Sequence, residues 1–184
     1  MLSFTFFAAL LLTIFFLVVL LSFLFPYFVG APFEPMPKSR IERIPGFARL
    51  KKSDKIVDLG SGKGDVLIEL AKKGFSIVGY EINPFLFLYT RLKLKALGIK
   101  NAKVYWANFW HKSLSDFDVI IIFQIGYIMK KLERKLLAEC KNLKVISYYW
   151  KFPGLKLVKA KNRMFLYVIR QEKRNEKIKK KLNS

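Results

Sequence analysis

Val57-Asp58-Leu59-Gly60-Ser61-Gly62-Lys63-Gly64-Asp65 is the stretch on which the fold turns. Before the glycines, Lys55–Leu59 reads as a short strand; after them, Asp65–Lys73 places Val66, Leu67, Leu70 and Ala71 on one face of a helix. Three glycines between strand and helix let the chain turn sharply and let a ligand approach the N–H groups at the helix start. The alternation continues outward. Phe75–Glu81 is predicted as a second strand, and Pro84–Leu97 as a helix closed by Gly98. Ala102–Trp106 is a third strand, and Phe117–Phe123 (FDVIIIF) an apolar run suited to a strand buried on both faces. Met129–Lys141 reads as a charged amphipathic helix, Leu143–Tyr149 as a strand, and Leu155–Ala160 with Met164–Arg170 as a hairpin. No clear helix falls between the third and fourth strands, and no internal repeat is visible. The series predicts an α/β fold: a Rossmann-like, mostly parallel sheet with helices on both faces and an antiparallel edge hairpin.

A second signal lies 21 residues beyond Gly60: Glu81 ends the second strand, where a carboxylate accepts two hydrogen bonds from ribose hydroxyls. Loop and carboxylate together, in strand–loop–helix–strand order, predict a site for an adenosine-type cofactor. The dinucleotide fingerprint G-x-G-x-x-G is not met, because Asp65 stands where its third glycine would fall. The pattern is instead D-x-G-x-G-x-G, opened by Asp58.

This pattern with its later Glu resembles the class I S-adenosylmethionine-dependent methyltransferases, whose cofactor has no pyrophosphate and carries a cationic methionine end. Pro32-Phe33-Glu34-Pro35-Met36-Pro37, Ile41-Glu42, VDLGSGKGD and Gly79-Tyr80-Glu81-Ile82-Asn83-Pro84 narrow the resemblance, joined by Trp110, Ser147 and Phe152-Pro153-Gly154. They are similar to the membrane-anchored protein-lysine methyltransferases that act on the c-subunit of ATP synthase and the adenine nucleotide translocator, with their short prokaryotic relatives. The likeness covers roughly residues 30–169. It implies S-adenosyl-L-methionine as cofactor. It implies that Asp58, Gly60, Ser61, Gly62 and Gly64 hold the methionine portion and the turn, that Glu81 binds the ribose and that Asn83 lies near the adenine. Asn108 stands where the family usually has Asp, and its carboxamide oxygen would accept from the adenine amino group.

The 184 residues carry 34 Lys+Arg against 13 Asp+Glu, a net charge of +21, and no charge precedes Glu34. Leu2–Phe25 are 24 residues without charge, Gly or Pro. As a helix they extend about 36 Å, enough for a hydrocarbon core of about 30 Å. A cleaved signal peptide would need a basic n-region, and no Lys or Arg precedes Lys38. Pro26 is expected to end the helix, with Tyr27 and Phe28 at the interface. Lys38, Arg40, Arg43, Arg49, Lys51 and Lys52 follow, which by the positive-inside rule puts the rest of the chain in the cytoplasm. The expected organisation is a transmembrane anchor (1–29), a Pro-rich linker and short helix (30–54), a cofactor-binding domain (55–170) and a basic tail (171–184). In the second part, Ile41, Ile44, Phe47 and Leu50 are spaced for an amphipathic helix that Pro45 interrupts or kinks. The excess charge suits anionic lipid for an anchored domain, and the apolar N-terminus favours that reading over nucleic acid.

Methyl transfer from a sulfonium is an in-line displacement driven mostly by positioning and desolvation. A dedicated base is optional, and none is assigned. Glu42, Gln124, Tyr127 and Tyr148 are candidates for the acceptor rim. With one Cys and one His, neither a Cys-rich nor a His-based metal site is expected. Cys140, read as a core residue in mid-helix, argues against a cysteine-nucleophile cytosine methyltransferase. Phe123-Gln124-Ile125-Gly126-Tyr127 lacks the Asn/Asp-Pro-Pro-aromatic loop used on exocyclic base nitrogens. The leading expectation is a protein-lysine N-methyltransferase acting on a membrane or membrane-proximal protein. Its rivals are a methyltransferase of a lipid headgroup amine or lipophilic small molecule, and a non-catalytic cofactor-binding membrane scaffold.

Overall fold

The structure, a computed structural model, describes residues 4–29, 36–123 and 126–170, with backbone alone over 22–29. The first helix, α1, runs Phe4–Val29. Its window Phe4–Leu21 has a mean hydropathy of 2.9, and none of that window is buried. At about 39 Å it is long and apolar enough to cross a bilayer. Pro26 does not end it, contrary to expectation. A proline deletes one backbone hydrogen bond, but its fixed φ is compatible with a helix, and long apolar helices tolerate that loss. The expected interfacial pair Tyr27 and Phe28 therefore sits within the last turn of α1.

After Met36 and Pro37 come two short helices, α2 (Lys38–Ile41) and α3 (Ile44–Ala48). The predicted amphipathic helix is thus split, with Pro45 in the first turn of α3, where its missing N–H costs nothing. Ile41, Ile44 and Phe47 are buried as their spacing predicts.

The remaining elements are β1 (Ile56–Leu59), α4 (Asp65–Lys72), β2 (Ile77–Glu81), α5 (Pro84–Ala96), β3 (Ala102–Trp106), β4 (Val119–Ile122), α6 (Gly126–Glu139), β5 (Asn142–Tyr148), β6 (Leu157–Lys161) and β7 (Met164–Arg170). The strands form one sheet in the order β3-β2-β1-β4-β5-β7-β6. The first five are mutually parallel, and β7 runs antiparallel between β5 and β6. This is the expected α/β sheet. The closing hairpin contributes both of its strands, so the exposed β6 forms the outer edge.

The sheet separates two apolar clusters. Ile56, Val119 and Ile121 pack with Leu67, Leu70 and Leu94 of α4 and α5 on one face. Val57, Leu59, Ile120 and Ile122 pack with Met129, Leu132 and Leu136 of α6 on the other. Alternate residues of β1 and β4 serve opposite faces, which is why FDVIIIF reads as an unbroken apolar run. Phe117 lies outside β4 and meets Tyr80 edge-on at 6.4 Å.

Helix α6 starts and ends earlier than predicted, so Cys140 is not in mid-helix. It lies one residue beyond α6, 1% exposed, with its thiol donating to the Leu114 carbonyl at 3.4 Å. Burial pushes that thiol up to about 11, so it stays protonated and packs as a small apolar group.

Ile121 sits at the centre of the sheet, fully buried and in register with Asp58. Replacing it by Ala is expected to cost roughly 2–5 kcal/mol, read as a lower denaturation midpoint of the detergent-solubilised chain.

Candidate functional site

The site lies at the carboxyl ends of β1 and β2, where an open parallel sheet leaves a crevice. Beyond Leu59 the chain turns through Gly60 (φ 83°), Gly62 (φ 54°) and Gly64 (φ 75°), all left-handed, a region costly for side-chain-bearing residues. The N–H groups of Gly60 and Ser61 donate to the Tyr80 carbonyl at 2.9 and 3.0 Å, fastening the loop to β2. Gly64 is the N-cap of α4.

Glu81, the last residue of β2, is 6% exposed. One carboxylate oxygen accepts from the Gly62 N–H at 2.7 Å, the other from the Asn83 N–H at 2.8 Å. Burial raises its pKa, and the backbone donors oppose that shift. A carboxylate offers about four acceptor positions, so the backbone N–H groups of Gly62, Asn83 and Ile82 leave capacity for a ligand's hydroxyl. Asn83 caps α5, its side-chain oxygen accepting from the N–H groups of Phe85 and Leu86 at 2.9 and 3.2 Å. Pro84 follows in the first turn.

Asp58 lies in β1 directly before the loop and is 4% exposed. Its pKa is raised from 3.8 to about 7, first by burial, then by the negative charges of Glu81 and Asp65. Among the described residues no Lys or Arg pairs with Asp58 or Glu81; Lys93 pairs with Asp65 instead, at 3.1 Å. Ser61 Oγ is buried without a hydrogen-bond partner among the described residues. An orphaned hydroxyl and two buried carboxylates lacking a cation fit a ligand that brings hydroxyl donors and positive charge.

Two supporting residues escaped the sequence reading. Gly79 pairs with Asp58 across β1 and β2, and a Cβ there would lie 2.8 Å from both Ser61 and Leu67. The missing side chain makes room for the loop; a glycine inside a strand was the available signal. Thr90 of α5 donates to the Gly62 carbonyl at 2.8 Å and is fully buried. A hydroxyl on the buried stripe of α5 was its only mark in the sequence.

The structure thus gathers Asp58, Gly60, Ser61, Gly62, Gly64, Glu81 and Asn83 at one crevice. Asn108 is half-buried just beyond β3, where the Ala107 N–H donates to the Glu81 carbonyl at 2.9 Å. Its carboxamide oxygen already accepts from the Trp110 N–H at 3.0 Å, capping the 3₁₀ turn Phe109–His111. The described rim candidates differ in burial. Glu42 is exposed at the end of α2, and Tyr127 is exposed in the first turn of α6. Gln124 lies outside the described residues. Tyr148 is buried at the end of β5, edge-on to Phe123 with centroids 4.9 Å apart. Beside it Tyr149 holds a left-handed φ of 74° and meets Trp150 in a tilted contact with centroids 5.3 Å apart. The Tyr149 N–H donates to the Arg163 carbonyl at 2.8 Å, and the Arg163 guanidinium lies 4.8 Å from its ring.

Fold and crevice are those of the class I S-adenosylmethionine-dependent methyltransferases. An RNA methyltransferase from Salinibacter ruber, solved with S-adenosyl-L-homocysteine, superposes with a TM-score of 0.69 at 23% identity, covering 76% of this chain and 95% of that one. The profile of the ANTKMT methyltransferase domain matches residues 58–159, and the chain belongs to that family. The human ATP synthase C-subunit lysine N-methyltransferase is 36% identical over 127 residues, 68% of this chain and 54% of that protein. The chain therefore spans about half the length of that relative. A protein-lysine N-methyltransferase of Saccharolobus islandicus is 26% identical over 160 residues, 80% of this chain and 99% of that protein.

Asp58 makes a signed prediction. Between about pH 4 and pH 7 the folded, ligand-free chain holds a proton on Asp58 that the unfolded chain has released. Asp58 thus disfavours folding progressively as pH rises through that window. Asp58→Asn is expected to gain melting temperature relative to wild type over that rise and to hold the gain above it, as scanning calorimetry of ligand-free protein would record.

Proposed function

We propose that this protein is an S-adenosylmethionine-dependent protein-lysine N-methyltransferase acting on a membrane or membrane-proximal protein. The observation that carries the reading is the buried Glu81 carboxylate bound to Gly62 and Asn83, with acceptor positions to spare at the loop crevice. When bound, S-adenosylmethionine supplies a methyl group on an already activated sulfonium. Glu81 would take the ribose hydroxyls, Asp58, Ser61 and the turn Gly60, Gly62 and Gly64 would hold the methionine portion, and Asn83 and Asn108 would lie toward the adenine. A cation bound beside Asp58 would favour its ionised form.

The acceptor enters over the carboxyl ends of β4 and β5. There Phe123, Tyr148, Tyr149 and Trp150 lie in successive aromatic contact, a largely apolar surface for the aliphatic stem of a lysine. A lysine reacts only when neutral, and its ordinary pKa is about 10.4. Desolvation against this apolar surface would lower that value, so positioning and water exclusion would carry the catalysis. The names of the human and Saccharolobus relatives support a lysine acceptor.

Residues 1–29 form a single-pass anchor, 30–54 a linker and short helices, 55–170 the cofactor-binding domain and 171–184 a basic tail. The cations after α1 support a cytoplasmic domain in contact with anionic lipid.

Glu81→Gln is expected to weaken S-adenosylmethionine binding about 100-fold, because charge-assisted hydrogen bonds contribute about 1.5–3 kcal/mol each. Titration calorimetry of folded protein reads this directly, and unchanged affinity removes the cofactor assignment. Source membranes incubated with the protein and methyl-labelled cofactor should carry label on lysines of a protein. Label in the lipid fraction alone would falsify the lysine reading.

A further inference from the structure

The second crossover helix is built inside out. Only Thr90 and Leu94 of α5 are buried. At about 100° per residue, the side directly opposite them carries Phe85, Leu88, Tyr89 and Leu92. These four are 38–57% exposed. A surface helix normally turns its polar side to water; here the apolar stripe points straight away from the domain. Trp106, on the neighbouring edge strand, adds a further exposed apolar side chain (64% exposed), its indole N–H donating to the Ile82 carbonyl at 2.9 Å.

The charge around this stripe is mainly positive, its one described acidic neighbour being Asp65, which pairs with Lys93 of α5 at 3.1 Å. No acidic residue occurs between Glu81 and Asp116. Arg91, Lys95, Lys100 and Lys103 line a groove of about 630 Å³ between the end of α5 and β3, and none of them is ion-paired among the described residues. Apolar surface of this kind marks a docking site. Its partner has to accept aliphatic and aromatic side chains beside a row of uncompensated cations. A second copy of this face does not qualify, because pairing would bring the four cations of each copy together. An anionic bilayer surface does: the stripe enters the acyl boundary, Tyr89 and Trp106 sit at headgroup level, and the groove cations meet lipid phosphates. The chain already carries, in α1, a helix long and apolar enough to hold it at that surface.

We infer that α5 is an interfacial helix that lays the cofactor-binding domain, stripe down, on anionic lipid. The inference rests on the tether of the proposed function, not on its chemistry. It has a consequence for the site. Thr90, on the opposite side of the same helix, holds the Gly62 carbonyl, and Asn83 at its start holds the Glu81 carboxylate. Docking therefore fixes the crevice at a set height and angle over the bilayer, within reach of residues that emerge from it.

The test uses the full chain in vesicles of phosphatidylcholine with or without phosphatidylglycerol. A nitroxide is placed at Leu92→Cys in a Cys140→Ala background, and a reference label at Ala138→Cys, exposed on α6 across the sheet. In phosphatidylglycerol vesicles the label at 92 is expected to lose several-fold in collisions with a water-soluble nickel chelate and to gain in collisions with bilayer-dissolved oxygen. The label at 138 should not change. Reversing Arg91, Lys95, Lys100 and Lys103 to Glu should return the label at 92 to the chelate. The inference is overturned if the two labels stay equally exposed, or if the charge-reversed chain docks as well. It also fails if protection appears only with an added membrane protein, or in detergent together with a doubled mass by light scattering. Cofactor titration of the same samples separates the two readings. Binding without docking sinks this inference alone, and docking without binding sinks the proposed function alone.

Discussion

A single carboxylate organises the crevice. Glu81 reaches back from the end of β2 to the Gly62 N–H and forward to the Asn83 N–H. It thereby clamps the loop after β1 to the start of α5. Thr90 closes the ring from inside α5 by donating to the Gly62 carbonyl. The glycine loop is otherwise a poor candidate for rigidity, since its glycines lose more backbone entropy on folding than other residues do. Charge-assisted bonds from a buried acceptor supply the compensation, and they still leave acceptor capacity facing the crevice.

The electrostatics run against the composition. A chain with a net charge of +21 places two buried carboxylates at its crevice, and none of its described cations pairs with either. Burial first, then the negative charges of Glu81 and Asp65, raises the Asp58 pKa to about 7. The cations instead gather on the outside, along the groove beside α5 and on the loops around the sheet. A crevice of opposite sign to its surroundings suits a cationic small ligand, while the outer surface suits an anionic one.

The element order was legible because strands buried on both faces and helices buried on one leave different repeats in the sequence. Met164–Arg170 and Ala102–Trp106 agree with the structure to the residue. Helix ends were harder. α1 runs through Pro26 because one lost hydrogen bond is small against a long apolar helix, and α6 starts at Gly126, ahead of its first charged residue. Cys140 lies outside α6 because that helix ends at Glu139, yet it is buried as its apolar neighbours imply. Of the rim candidates, Tyr148 is buried and Tyr127 and Glu42 are exposed, a difference set by the elements packed around each and not by local pattern.

By itself the sequence determined the strand–loop–helix unit, the carboxylate at the end of the next strand and the apolar N-terminal helix. Each is written in residues close together in the chain, where backbone freedom, side-chain period and charge act locally. Only the tertiary structure decided that Gly79 clears space for Ser61, that Thr90 latches the loop, and that Tyr149 and Trp150 stand beside Tyr148 and Phe123. It alone decided that α5 turns its apolar stripe outward. Those outcomes depend on how elements far apart in the chain pack against one another, and a period read along one helix tells which residues share a face but not which way that face points.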